Sequence, residues 1–401
     1  MLRAPEIPEQ AQVTRDLRRL FVLGGVSTAA ILPFFVPLLE QRGMSASQIG
    51  LSLSVAAFGG LIVTPAWSHA ADGRLGIARA LQLTTLLSMA AAIALAPVSS
   101  PTLLVAALAV LLVIVETPGT ALSDSLALAN LGPDASSRYG SIRLWTSLGW
   151  ALSVVVFGAA YERLGYASAL PLYALLLLGY LATLAPFRRG ARLGSRHGSP
   201  HNSRANAWRA VREVRELPWF LVGLVIVSAS SMGANTFVAL QIVDSGGGPF
   251  LLGLSASLMA LVEVPFFHWS PRLGERIGQR RLYVAGVLIS ALMIAAWAFV
   301  SSPLAISLLK VASGASFAFS YSATVVITER LMPEALRSTG QGLLQVARNG
   351  LGPIVGVAIS GIVYQHLGAA ALFAGCAVLQ LVGAAVVVGS LRTHPPRPTP
   401  S

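Results

Sequence analysis

The chain has 401 residues, of which 55% are apolar and only 11% are charged, and its formal net charge is +12 at pH 7. A soluble domain has about 25% charged residues, so this composition excludes a water-exposed globular surface and indicates a membrane protein. The basic residues stand in short clusters between long apolar runs, which argues against a nucleic-acid-binding surface.

Twelve apolar runs follow one another, each close to the roughly 20 residues that a helix needs to cross a hydrocarbon core of about 30 Å. They cover residues 19–39, 47–68, 79–98, 103–127, 141–161, 168–187, 218–239, 249–269, 281–300, 304–327, 340–362 and 369–390. We predict an all-α membrane protein with twelve transmembrane helices, called here the first to twelfth spans. A soluble helical bundle needs amphipathic helices, whereas these runs are apolar on nearly every face.

The arginines between the spans are distributed unevenly. If the N-terminus is inside, 24 arginines fall in cytoplasmic segments, and only Arg42 and Arg163 fall on the opposite side. Cytoplasmic loops carry the excess of Lys and Arg in membrane proteins. We therefore predict a multi-pass protein of the cell inner membrane with both termini in the cytoplasm.

A polar stretch rich in Arg, Gly, Ser and His divides the spans into two sets of six. We predict an N-terminal half (residues 1–187), a cytoplasmic linker (188–217) and a C-terminal half (218–401). The halves share residues at an offset of 203 positions: Gly149 and Gly352, Gly158 and Gly361, Tyr161 and Tyr364, Leu164 and Leu367, Gly165 and Gly368. This duplication predicts two pseudo-symmetric six-helix bundles.

Ionisable residues inside the spans are the strongest candidates for a functional site. There are six: Glu116, Asp124, Arg143, Glu263, Lys310 and Arg348. A charge at membrane depth is costly unless it is paired or wetted, so it marks a pathway by default. Three acids and three bases favour pairing around a wet cavity. The alternative is that some snorkel to the interface or serve only as static partners.

Position along the spans suggests roles for these residues. Glu116 and Glu263 are the deepest acids of the two halves, and one or the other is predicted to carry a coupling proton. Asp124 lies closer to Arg143 and is expected to form a structural or substrate-binding pair with it. Trp150 follows Arg143 by seven residues, about two turns, on nearly the same helical face. We therefore expect the Trp150 ring to face the central cavity.

No feature of the sequence points to an enzyme or to a cofactor. Cys376 is the only cysteine, so the chain alone can build neither a disulfide nor a thiolate metal site. It has no Gly-x-x-x-x-Gly-Lys-Ser/Thr nucleotide-binding loop and no nucleophile constellation. We expect no cofactor and no metal, and a monomer whose partners are a small molecule, protons and the bilayer. A membrane enzyme and a receptor or scaffold are the alternatives from other classes.

Motifs in three segments resemble one family. Pro33-Phe34-Phe35 precedes Pro65-Ala66-Trp67 and Asp72, and Tyr139-Gly140-Ser141-Ile142-Arg143-Leu144-Trp145 follows. The first two are similar to the opening of lactose permease, and the third resembles the Tyr-Gly-x-x-Arg-x-Trp run of the phenylpropionate permeases. This resemblance to the major facilitator superfamily implies two six-helix bundles and transport of a small organic solute by alternating access.

The resemblance also implies a solute site in the N-terminal half. In lactose permease, the residue matching Arg143 binds sugar hydroxyls together with an acid on the fourth span, and the residue matching Trp150 stacks on the sugar ring. Here Ser125 stands at the expected position of that acid, with Asp124 beside it. We therefore expect Asp124, Arg143 and Trp150 to bind solute.

The C-terminal half resembles lactose permease in part. The segment 302–310 is similar to the permease segment that ends in its buried Lys, and Asn235 stands near an acid that would pair with that Lys. Asn235 and Lys310 are therefore expected to bind solute, with Lys310 opposing the acids. Ser313 and Ser316 stand where the permease has the His and Glu of its proton-handling site, so proton coupling must use another carboxylate.

The loop after the second span resembles the acidic-basic-glycine loop of the superfamily. It reads Asp72-Gly73-Arg74-Leu75-Gly76, with Ser68 in place of the leading Gly. The resemblance implies that Asp72 and Arg74 take part in gating. For the whole chain, it implies proton-coupled uptake of a sugar or an aromatic carboxylate, and efflux of a sugar or drug is the alternative.

Overall fold

A computed structural model describes residues 8–131, 135–189 and 209–391. Within these ranges, eleven helical segments are long and apolar enough to cross a bilayer. The last segment, Glu334–Ser390, has 57 residues and is interrupted by a non-helical Gly368, so it contains two spans. The prediction of an all-α protein with twelve spans is therefore confirmed.

The first six spans consist of helices that match the predicted runs to within a few residues, except at the longer first span. Their bounds are Pro8–Ile31 with Phe35–Gln41, Ala46–Ala70, Ile77–Leu95, Thr102–Glu116 with Pro118–Asn130, Ala135–Leu164, and Ala169–Thr183. The first and fourth spans are interrupted next to Pro33 and at Pro118. Proline causes such breaks because it lacks an amide hydrogen and its ring clashes with the preceding turn.

The last six spans show two further irregularities. Their helices are Leu217–Asp244, Pro249–Ile277, Gln279–Trp297, Pro303–Leu309 with Ala312–Leu331, Arg337–Gln345, and Gly352–Ser390, which holds the rest of the eleventh span and the twelfth. The tenth span is broken at Lys310, and the eleventh contains a π-helical turn, Val346–Leu351. The π-helical turn is important because such turns occur frequently at functional sites.

The described residues belong to two compact units. One lies within Met1–Arg196 and Gly246–Ser257, and the other within His197–Ser245 and Leu258–Ser401. Each contains its own cluster of buried apolar side chains. Most of the predicted linker, residues 188–217, lies outside the described residues, and the predicted domain boundaries stay a prediction.

The two six-helix bundles share a chain reversal at equivalent glycines. Gly165 and Gly368, which are 203 residues apart, end the fifth and eleventh spans with φ values of 75° and 83°. Positive φ values favour glycine because it lacks a Cβ atom. The internal repeat predicted from the sequence therefore coincides with a repeated backbone conformation.

A repeated aromatic contact adds to this pseudo-symmetry. Phe34 and Tyr161 form an edge-to-face pair with centroids 4.9 Å apart, and Phe237 and Tyr364 form a stacked pair at 5.5 Å. Both partners are again separated by 203 residues. The Tyr364 hydroxyl donates a hydrogen bond to Asp244 Oδ2 at 2.6 Å. The match between Phe34 and Phe237 was not identified from the sequence.

Small residues allow close packing of the seventh and eleventh spans, as their frequency predicts. A methyl group on Gly356 would overlap the carbonyl group and Cα of Ala229, and one on Gly352 would meet the Ser228 side chain. Cys376, on the twelfth span, is buried with a free thiol. The C-terminal unit is therefore assembled with direct contact between helix backbones.

Candidate functional site

The residues predicted to form a site fall into two groups, one in each unit. The first unit contains Asp72, Glu116, Asp124, Arg143 and Trp150, and the second contains Asn235, Glu263 and Lys310. The structure brings some of these residues together and leaves others apart, and it adds residues that the sequence did not single out.

Asp124 and Arg143 face each other between the fourth and fifth spans. The distance from Asp124 Oδ1 to Arg143 Nη1 is 3.9 Å, and their side chains are 30% and 44% exposed. Tyr139, one turn before Arg143, also hydrogen-bonds to the Asp124 side chain. The pair therefore remains accessible to a polar ligand, with an acceptor on one helix and donors on the other.

Trp150 lies two turns beyond Arg143 on the fifth span, and its side chain is half-buried. At this level, the first span approaches so closely that a methyl group on Gly25 would meet backbone atoms of Thr146 and the amide nitrogen of Trp150. The helix that carries Arg143 and Trp150 is therefore held by a neighbouring backbone. That the Trp150 ring faces the solute stays a prediction.

Glu116 ends the first helix of the fourth span, two residues before Pro118. Its charge interacts with Tyr173, a buried residue of the sixth span. No ion pair involves Glu116 within the part of the chain that the structure describes. Glu116 is therefore an acid without a countercharge, next to a tyrosine.

A second tyrosine continues this polar contact between the fourth and sixth spans. The Tyr180 hydroxyl lies 2.9 Å from Ser123 Oγ, and Ser123 Oγ donates to the carbonyl oxygen of Gly119 at 2.6 Å. Tyr173 and Tyr180 are seven residues apart and share one helical face. They were not predicted from the sequence, although two tyrosines at this spacing in an aliphatic run are a usable signal.

The predicted gating loop is a π-helical turn, Ala71–Leu75, that follows the second span. Gly73 in this turn has non-helical angles, and Gly76, with φ of 79°, precedes the third span. Asp72 is exposed. The side chain of Arg74 lies outside the described residues, so the gating role of Asp72 and Arg74 stays a prediction.

In the second unit, Asn235 is bonded within its own helix. Its Nδ2 donates to the carbonyl oxygen of Ser231 at 2.9 Å. Among the described residues, no group donates a hydrogen bond to its Oδ1. The side-chain oxygen of Asn235 is therefore available to a ligand that carries a hydroxyl.

Glu263 and Lys310 belong to neighbouring helices of the second unit. A methyl group on Gly314 would meet the carbonyl oxygen of Met259 and the amide nitrogen of Glu263, so the tenth span touches the eighth at this point. Lys310 is one turn before Gly314. The two side chains form no ion pair within 4.0 Å in the described ranges. Glu263 and Lys310 therefore lie on helices that touch, without a direct ion pair between them.

Arg348, on the π-helical turn, has a more defined environment than any predicted residue. Its Nη1 donates to Thr324 Oγ1 at 2.8 Å, and its guanidinium lies 4.6 Å from the Tyr321 ring centroid and 5.7 Å from that of Phe317. Sequence reasoning recognised the buried charge but did not place Arg348 in the site. The aromatic partners follow from helix rotation, which hydropathy does not reveal.

The groups described above are able to bind a polar organic solute. In each unit, charged groups, hydroxyls and aromatic rings lie on neighbouring helices. Over the described ranges, no cluster of three or more His, Cys, Asp or Glu side chains could hold a metal ion.

Comparison with known proteins gives consistent matches along the chain. The model of the MFS_1 like family matches residues 20–374. Maltose permease of Geobacillus stearothermophilus is 27% identical over 360 residues, covering 90% of both chains. A multi-drug resistance efflux pump PmrA homolog of Lactococcus lactis is 25% identical, covering 84% of this chain and 85% of the relative. The crystal structure of nucleoside transporter NupG, at 16% identity, has a TM-score of 0.80 and covers 97% of this chain and 100% of that one, which shows a shared fold.

Proposed function

Because this chain belongs to the MFS_1 like family, and is therefore a membrane transporter of the major facilitator type rather than an enzyme, we propose that it moves a ring-bearing organic solute across the inner membrane by alternating access. A sugar and an aromatic carboxylate are the two solute classes. Proton coupling is part of the proposal.

The observation that carries the proposal is the Asp124–Arg143 pair between the fourth and fifth spans, with Trp150 two turns beyond Arg143 on the fifth span. A carboxylate accepts hydrogen bonds from hydroxyls, and a guanidinium donates them in a planar fork. An aromatic ring on the same helix adds a stacking surface. The relative named for maltose supports a solute with a sugar ring.

Uptake into proteoliposomes tests the transport proposal directly. Purified protein is reconstituted, and a panel of labelled sugars, nucleosides and aromatic carboxylates is offered in exchange and uphill formats. We expect saturable uptake of at least one ring-bearing solute, reduced by D124N and by R143Q. Uptake that is equal in protein-free liposomes for every solute would contradict the proposal.

Export is the second candidate function. The observation that favours it is the similarity to a relative named as a multi-drug resistance efflux pump. In the same proteoliposomes, imposed proton gradients of opposite sign distinguish the two functions. A gradient that is acidic outside drives accumulation by a proton symporter, and one that is acidic inside drives accumulation by a proton antiporter, as export requires.

We predict that replacing Trp150 by alanine weakens solute binding by about 1–2 kcal/mol, or roughly 5- to 30-fold in Kd, since stacking on the ring is lost. Equilibrium binding to purified protein measures this change. Trp219→Ala is the control, because Trp219 is an exposed residue near the start of the seventh span. Unchanged affinity in a folded Trp150→Ala variant would mean that the ring only packs within the bundle.

The proposed orientation places both termini and the segment around Arg196 in the cytoplasm, because 24 arginines lie on that side and two on the other. Alkaline phosphatase fused after Arg196 is expected to be inactive, and a fusion after Gly43 is expected to be active. High activity of the first fusion would contradict this orientation.

A further inference from the structure

The cation Arg348 lies inside the eleventh span and has no carboxylate partner among the described residues. Within the described ranges, its contacts are the Thr324 hydroxyl and the rings of Tyr321 and Phe317, and none is acidic. A guanidinium has five N–H donors, of which the structure shows one in use. An unpaired buried charge is costly. The described residues supply no countercharge for this guanidinium, so a negatively charged ligand would stabilise it.

The aromatic rings beside Arg348 are not fully buried. Phe317 is 41% exposed, and Phe267 of the eighth span makes edge-to-face contacts with Phe317 at 5.9 Å and with Tyr321 at 6.0 Å. Cation–π contact with Tyr321 stabilises the guanidinium, but it does not neutralise its charge.

No acid of the surrounding helices is positioned to supply that charge. In the seventh, ninth and twelfth spans, the only acid is Asp244, which lies at the end of its helix and accepts a hydrogen bond from Tyr364. Glu329 lies near the end of the tenth span. Glu263 is the one deep acid of the second unit, and it adjoins the contact with Gly314, one turn from Lys310. None of these acids forms an ion pair with Arg348 among the described residues.

The backbone around Arg348 is fixed. The π-helical turn frees its carbonyl oxygen, which accepts a hydrogen bond from the Ser228 hydroxyl of the seventh span. Arg348 stands eleven residues after Arg337, or about 16 Å along the helix, so it lies well inside the span. The guanidinium is thus held in one place rather than extended to the interface.

A second polar group near Arg348 also lacks a partner. The Tyr283 hydroxyl interacts electrostatically with Arg348 and accepts or donates no hydrogen bond among the described residues, although Tyr283 is only 1% exposed. Buried polar groups are normally hydrogen-bonded. A ligand oxygen close to Arg348 would provide an acceptor to both.

We propose that Arg348 binds a carboxylate of the transported solute, with Tyr321 and Phe317 beside it, so that the solute is an acid that carries a ring. This inference rests on the proposed transport function and narrows its solute class to sugar acids and aromatic acids. Carboxylate recognition by an arginine uses two parallel N–H donors, which the observed geometry leaves free.

The test compares pairs of probes in which a carboxylate of one member is replaced by a CH2OH group in the other. D-glucuronate is paired with D-glucose, and 3-phenylpropionate with 3-phenylpropanol, and binding to purified protein is measured at constant ionic strength. In at least one pair, the acid is expected to bind about tenfold more tightly than the neutral probe, because charge-assisted hydrogen bonds are stronger than neutral ones. R348Q should remove this difference, and R330Q, a change at an exposed arginine near the end of the tenth span, should retain it.

Several results would overturn the inference: equal binding of acid and neutral probe in both pairs, a difference that R348Q leaves unchanged, or a difference lost in R330Q and kept in R348Q. If R348Q does not fold, R348K carries the test, because it retains the charge but loses the planar fork, and the difference should shrink. Uptake of neutral sugar without a preference for acids would leave the transport proposal standing and reject this inference. A preference for acids without uptake would do the reverse.

Discussion

Glu116→Gln or Glu263→Gln is expected to abolish uphill accumulation of solute while exchange of labelled solute continues. A coupled carrier needs a carboxylate that gains and loses a proton during the transport cycle, and glutamine is an uncharged replacement of similar shape. The two acids form no ion pair with described residues, unlike Asp124, which pairs with Arg143. Accumulation is measured in proteoliposomes with an imposed pH gradient. Exchange is measured as entry of labelled solute when the internal and external solute concentrations are equal.

Glu275→Gln is the matched control, because Glu275 is an exposed acid near the end of the eighth span, and it should accumulate solute normally. If both test variants keep wild-type, pH-dependent accumulation, the coupling assignment is wrong. Loss of exchange together with accumulation would instead identify the acid as part of solute binding. If the wild-type protein never accumulates solute, a uniporter with static acids is the correct description.

Gly356→Ala is expected to lower the stability of the folded protein by about 1–3 kcal/mol, as overpacking of a tight contact does. The added methyl group would overlap the backbone of Ala229, and a backbone cannot move aside as a flexible side chain can. The midpoint of thermal unfolding of the purified protein, followed by size-exclusion chromatography, measures the change.

Gly375→Ala is the control, because nothing lies within 4 Å of a methyl group at that position on the twelfth span. Its midpoint should equal or exceed that of the wild type, since alanine is a better helix former than glycine. Equal midpoints for both variants would show that the seventh and eleventh spans separate easily at Gly356.

Hydropathy predicted the spans because the hydrocarbon core requires a helical backbone that satisfies its own hydrogen bonds and side chains that are predominantly apolar. The same reasoning could not place the interruptions. A π-helical turn at Val346–Leu351 and a break at Lys310 depend on which carbonyl groups find partners on neighbouring helices, as Ser228 does for Arg348. The 203-residue offset between Gly165 and Gly368 was visible in the sequence. The structure shows that both glycines take positive φ values.

The candidate site was predicted in part. The expected ion pair of Arg143 with Asp124 is present, whereas the role of Trp150, inferred from its spacing along the helix, stays a prediction. The contact of Arg348 with Tyr321 joins residues on two helices. It depends on the rotation of each helix about its own axis, which a run that is apolar on every face does not specify. The sequence therefore indicated that Arg348 is a buried charge, but it did not indicate which aromatic rings surround it.

The burial of the single thiol, Cys376, has a practical consequence. A maleimide added briefly to the folded protein will react with a cysteine introduced at an exposed position long before it reaches Cys376. The natural chain is therefore already suitable for attaching pairs of spin labels or fluorophores, without first removing its own cysteine. Distances between such labels, recorded with and without solute and at different pH values, would report the conformational states directly.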